Sequence, residues 1–143
     1  MSISESTPIS DNTVVLILPD KPEYVSLARM SAAALANQAG LDINEVEEIK
    51  VALSEACTNA LRYGCTNDSH YEVRLTVAPK DLIIVVSDSG DGYDFDSVKE
   101  PEIGGDQIGG FGLYIIRSLM DSTEIVSERG RGTTITLHKN LRS

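Results

Sequence analysis

Apolar and polar positions alternate along this chain in two rhythms, one of strands and one of helices. Thr13–Leu18 is a short β-branched and apolar run closed by Pro19, and it predicts a strand. Pro22 suits a first helical turn, with Asp20 just upstream as its cap. That helix is expected to run to about Ala39 and to stop at Gly40 in a left-handed C-terminal turn. The next helix has a start signal of its own. Asp42 can cap it while Glu45, three residues on, reaches back to complete a capping box. Val46, Ile49, Leu53, Cys57 and Ala60 recur at helical spacing as its apolar face, and Gly64 closes it. Period-two patterns follow at Glu72–Ala78 and Leu82–Asp88, with Pro79-Lys80-Asp81 as the hairpin turn. A helix at Phe111–Met120 precedes strands at Thr123–Ser127 and Thr133–His138, joined by a tight turn over Glu128–Gly132.

The predicted order is β, α, α, β, β, loop, α, β, β. Strands joined as hairpins imply a mixed or antiparallel sheet with helices on one face, an α+β two-layer arrangement. Residues 1–12 are polar and read as a loose segment, and 13–143 as a single domain. Between Asp88 and Gly112 the character changes. Seven glycines and seven acids lie there with one basic residue, Lys99, which predicts a long functional loop or a loop enclosing a short helix.

Charge narrows the function classes. Twenty-two Asp and Glu against twelve Lys and Arg leave a formal charge of −10. Such a surface argues against nucleic acid, which is bound through basic clusters that displace counterions, and against anionic lipid. No apolar run approaches the ~20 residues that span a bilayer. The N-terminus carries no basic residue and no apolar block, so it does not read as a secretory signal. Cys57 and Cys65 stand at no metal or redox spacing and read as free thiols of a cytoplasmic protein.

Four places can carry chemistry. Glu55 and Asn59 lie about 40° apart on one helix, a turn from each other. Their plain reading is a solvated polar face. Their chemical reading is a carboxylate that accepts a proton beside a carboxamide oxygen that suits Mg²⁺. Asp88-Ser89-Gly90-Asp91-Gly92 puts a carboxylate at a strand end, followed by bare backbone against which a ligand can lie, or else forms an ordinary turn. Gly109-Gly110-Phe111-Gly112-Leu113 opens a helix with unpaired N–H groups, a natural place for an anion, or else ends a flexible loop. Gly132-Thr133-Thr134 begins the last strand, and Arg29 is by default an exposed helix charge. A triphosphate would be repelled by this acidic chain unless main-chain amides and a divalent cation neutralise it. Two familiar phosphate signatures, G-x-x-x-x-G-K-[ST] and G-x-G-x-x-G, are absent.

Taken in order, Glu55-x-x-x-Asn59, Asp88-x-Gly90-x-Gly92, Gly109-x-x-Gly112 and Gly132-Thr133 resemble the motifs of the histidine-kinase-like ATPases shared by gyrase, histidine kinases and the DNA-repair MutL proteins. The resemblance runs over about residues 13–140. Ser54-Glu55-Ala56-Cys57-Thr58-Asn59-Ala60, Lys21-Pro22-Glu23-Tyr24-Val25 and Gly112-Leu113-Tyr114 with Leu119-Met120-Asp121 look most like anti-sigma-factor serine/threonine kinases of the RsbW type. The resemblance implies a Bergerat-type α/β sandwich with a mixed sheet, binding ATP and Mg²⁺ under a lid at about Asp94–Ile108. It implies that Asp88 bonds the adenine amino group, Gly92 lets the base lie close and Thr133 sits near it. Asn59 would hold Mg²⁺, and Gly110, Phe111 and Gly112 would give N–H groups to phosphate. Glu55 would be the general base. Expected partners are a sigma factor, an anti-anti-sigma protein bearing the substrate serine, and a second copy in a homodimer. Arg29 falls where such kinases place a partner-contacting arginine. The alternative is a non-catalytic module whose shape ATP sets for partner binding. A detached histidine-kinase domain fits less well, because no dimerisation helix carries a phospho-acceptor histidine.

Overall fold

The computed structural model describes residues 12–61, 70–88, 110–128 and 132–141. Strand β1 spans Thr13–Pro19, helix α1 Val25–Gln38 and helix α2 Ile43–Asn59. Strands β2 and β3 span His70–Val77 and Asp81–Asp88. Helix α3 covers Gly110–Leu119, and β4 and β5 cover Ser122–Glu128 and Gly132–Asn140. The strands form one sheet in the order β1-β2-β3-β5-β4. Every described pairing is antiparallel, so the expected mixed sheet is antiparallel among the described residues. The cause is local. β2–β3 and β4–β5 are hairpins, and the return through α3 sets β5 against β3 with opposite sense.

Local signals explain most element ends. At α2 the Asp42 carboxylate accepts from the Glu45 N–H at 2.8 Å, and Glu45 Oε1 accepts from the Asp42 N–H at 3.1 Å, closing the capping box. Gly40 has φ +89°, the left-handed geometry that glycine adopts without strain, just beyond α1. Asp20 does not cap α1. A 3-10 turn at Pro22–Tyr24 intervenes, with Lys21 at its cap position and no side-chain cap bond. Proline at the first position of that turn sets φ without needing a donor. The Pro79–Asp81 turn closes as expected, with the Ala78 N–H donating to the Asp81 carbonyl at 2.8 Å. The predicted stop at Gly64 lies outside the described residues.

One face of the sheet carries the core. Tyr71, Val73 and Leu75 of β2, Leu82, Ile84 and Val86 of β3, and Ile135 and Leu137 of β5 are buried in matching registers. The three helices cover that face, with α2 between α1 and α3. Close packing is achieved with alanine rather than aromatics. Ala28, Ala32 and Ala36 of α1 and Ala52 and Ala56 of α2 are fully buried. Lys139, buried at the far end of β5, donates to Glu48 Oε1 of α2 at 3.1 Å and to the Leu119 carbonyl of α3 at 2.8 Å. The ammonium thereby satisfies an end carbonyl of α3 and ties three elements together.

The capping box gives a direct stability test. Asp42→Ala is expected to cost about 1 kcal/mol of unfolding free energy in urea titration, with little change in the slope.

Candidate active site

Helix α2 delivers Glu55 and Asn59 one turn apart, but its surroundings differ from a solvated face. Asn59 is 6% exposed, and among the described residues neither its Oδ1 nor its Nδ2 has a hydrogen-bond partner. A buried carboxamide without partners costs free energy, and the oxygen fits a hard cation that would arrive with a ligand. Among the described residues no group of three or more His, Cys, Asp or Glu side chains could hold a metal by itself.

Glu55 is half-buried against the first turns of α3. A methyl group placed on Gly112 would lie 3.2 Å from Glu55 Oε1, close enough that the carboxylate would have to give by a few tenths of an ångström. Gly110 and Phe111 belong to the first turn of α3, where main-chain N–H groups lack intrahelical acceptors. The Leu113 side chain is buried in the core, so only its backbone can serve a ligand. Gly90, Gly92, Gly109, Lys99 and the expected lid lie outside the described residues.

On the sheet side, Asp88 and Thr133 are register partners on β3 and β5, on the helix-covered face. The Thr133 N–H donates to Asp88 Oδ1 at 3.2 Å. Thr133 is 3% exposed, and its hydroxyl lies 2.7 Å from the Ser127 hydroxyl on β4. Ser127 was not among the residues singled out from sequence. The signal was present: in a hairpin turning over Glu128–Gly132, the residues flanking the turn, 127 and 133, face each other.

Arg29 is exposed on α1. It lines a surface groove of about 610 Å³ with Pro22, Ser26, Ser54, Thr58 and Leu61. Ser54 and Thr58 place that groove along the α2 residues that neighbour Glu55 and Asn59. Cys57, between the two, points the other way. It is a free, fully buried thiol, and burial pushes its pKa up to about 12 while a hydrogen bond with Tyr71 pulls in the opposite sense. Cys65 lies outside the described residues. No described helix is long and apolar enough to cross a membrane.

An antiparallel sheet under three helices, with an acid and a carboxamide a turn apart on the central one, is the architecture of a histidine-kinase-like ATPase domain. The chain belongs to that family, whose model matches residues 18–139. Within it, relatives that match most of this chain share a narrower name. Serine-protein kinase RsbW of Bacillus subtilis is 35% identical over 134 residues, covering 86% of this chain and 83% of the relative. The protein of the same name from Bacillus licheniformis is 37% identical over 134 residues, covering 86% and 82%. A crystal structure of RsbU and RsbW domains from Mycobacterium tuberculosis superimposes with a TM-score of 0.68 at 21% identity. It covers 96% of this chain and 34% of that one, and it supports the fold. The histidine kinase domain of a blue-light-activated kinase from Erythrobacter litoralis gives a TM-score of 0.56 at 19% identity, covering 86% and 61%.

The buried thiol has a pH consequence. Its folded pKa lies above that of the unfolded chain, so its contribution is complete below about pH 9 and is lost as pH rises toward 12. Denaturation series at pH 8 and pH 10.5 should show an alkaline loss of stability that is reduced in Cys57→Ala. In native protein Cys57 should also resist iodoacetamide at pH 8, read by peptide mapping.

Proposed function

We propose that this protein is an ATP- and Mg²⁺-dependent serine kinase and anti-sigma factor of the RsbW kind. It transfers the γ-phosphoryl group to a serine of an anti-anti-sigma protein, and it sequesters a sigma factor when that protein is not bound. The observation that carries this reading is the trio on α2 and α3: the Glu55 carboxylate, held against Gly112, one turn from the buried, unpartnered Asn59. The name shared by relatives at about 35% identity over most of both chains supports the same activity. We place this action in the cytoplasm, without a membrane or nucleic-acid partner, in keeping with the acidic surface.

In this reading Asp88 accepts from the adenine amino group, Thr133 lies at the neighbouring ring edge, and Gly90 and Gly92 let the base approach the backbone. Gly109, Gly110, Phe111, Gly112 and Leu113 offer main-chain N–H groups to phosphate at the start of α3. Asn59 Oδ1 holds Mg²⁺, which supplies neutralisation of phosphate charge that an acidic protein cannot supply from side chains. Glu55 accepts the proton of the serine hydroxyl as its oxygen attacks the γ-phosphorus. The bond from that phosphorus to the β–γ bridging oxygen breaks, and ADP leaves with the electron pair. The protein's share is positioning and one proton transfer, because the transition state has little covalent chemistry to assist.

Arg29 and its groove are the proposed contact for the protein partner. The surface suits a segment that must bring a serine to Glu55, since the groove shares helix α2 with it. A homodimer is proposed across the sheet's other face. There Val15, Ile17, Ile83 and Val85 lie opposite the helix layer, and Val126 of the edge strand is 60% exposed.

Glu55→Gln should retain ATP binding by calorimetry and lower phosphoryl transfer to the partner serine by about 100-fold or more. ATP-dependent partner binding with no serine phosphate from wild-type protein would replace the kinase with a regulatory binding module. Gly112→Ala should lower the transfer rate modestly while leaving the thermal midpoint nearly unchanged, because the added methyl shifts the Glu55 carboxylate by a few tenths of an ångström.

A further inference from the structure

The sheet row beneath the proposed base site contains three polar side chains, and the third has no role so far. Asp88, Thr133 and Ser127 are consecutive register partners across β3, β5 and β4, all on the helix-covered face. Thr133 is buried, its N–H is committed to Asp88 Oδ1, and its hydroxyl is 2.7 Å from Ser127 Oγ. A 2.7 Å separation is a full-strength hydroxyl–hydroxyl bond. Either oxygen can be the donor, and the direction decides what Thr133 shows to a ligand. If Thr133 donates to Ser127, its oxygen presents lone pairs alone. If Ser127 donates, the Thr133 proton is released toward the ligand.

We infer that Ser127 is a positioning residue for nucleotide recognition: it donates to Thr133 and so turns the Thr133 hydroxyl into a donor aimed at N1 of adenine. The inference rests on the assignment of Asp88 and Thr133 to the base, and it deepens that assignment into a specificity rule. The base edge of adenine presents an amino donor beside the N1 acceptor. A carboxylate only accepts. Asp88 therefore complements the amino group, and the matching neighbour must be a donor. Thr133 left to rotate could accept as readily as donate. Against hypoxanthine or guanine, which carry N1–H, a donor at this position is mismatched, so the Ser127–Thr133 direction favours adenine over both.

The test pairs residue changes with a change of one ligand atom. ATP and 1-deaza-ATP, in which N1 is replaced by C–H, are titrated against full-length wild-type, Ser127→Ala, Ser127→Thr and Asp88→Ala proteins. Thermal midpoints are recorded alongside. Wild-type protein should prefer ATP over the deaza analogue by about three- to ten-fold, the usual range for one hydrogen bond. Ser127→Ala should narrow that preference by weakening ATP alone. In the transfer assay it should raise KM for ATP and leave kcat near wild type. Ser127→Thr, which keeps a hydroxyl, should restore the preference. If Ser127→Ala weakens both nucleotides equally, or neither, while Asp88→Ala weakens ATP, the role of Ser127 is overturned and the base assignment stands. If Asp88→Ala leaves ATP affinity unchanged, the base assignment itself falls and this inference with it.

Discussion

Alanine at 28, 32, 36, 52 and 56 sets the distance at which α1 and α2 pack, and α2 in turn is hemmed between α1, α3 and the sheet. That confinement is what gives the chemistry its positions. A helix with one buried stripe would leave Glu55 and Asn59 in solvent, free to choose rotamers. Confined by neighbouring helices, the same spacing buries Asn59 and lays Glu55 along α3. Small side chains make the close approach possible, and tight packing then turns helical periodicity into a fixed geometry between two functional groups.

The acidic composition works with this arrangement. A chain of charge −10 has few cations to spare for a triphosphate. Groups that carry no formal charge are present instead: first-turn amides of α3, a carboxamide without partners and hydroxyls along the sheet. Such groups bind anions through dipoles and share the neutralisation with a cation brought by the ligand. In the proposed reading the Glu55 carboxylate, held against α3, is then left to accept a proton.

Much of the fold was legible in sequence because its signals are local. The Asp42–Glu45 box, the left-handed Gly40 and the Pro79–Asp81 turn each act within a few residues, and each appears as expected. Strand and helix ends shifted by a residue or two, since ladders extend wherever a partner is available. Asp20 failed as a cap because the entry to α1 is a 3-10 turn set by Pro22. The burial of Asn59 was not legible. Periodicity reports one apolar stripe and is blind to a helix enclosed by neighbours far away in sequence. Of the proposed site, Glu55, Asn59, Asp88 and Thr133 were singled out from motif order. Ser127 gains its meaning from the cross-strand register that the predicted Glu128–Gly132 turn implies, not from any motif along the chain.

The Lys139 tie at the opposite end of the molecule has a consequence for how the protein comes apart. One ammonium holds the tail of α3, the first half of α2 and the last strand. Pulling any of these away strands a charge in an apolar surrounding, so none can loosen on its own at modest cost. The stretch that carries Gly112 and Glu55 is thus expected to loosen as one cooperative block. Partial unfolding should spread from β1 and α1, outside that knot.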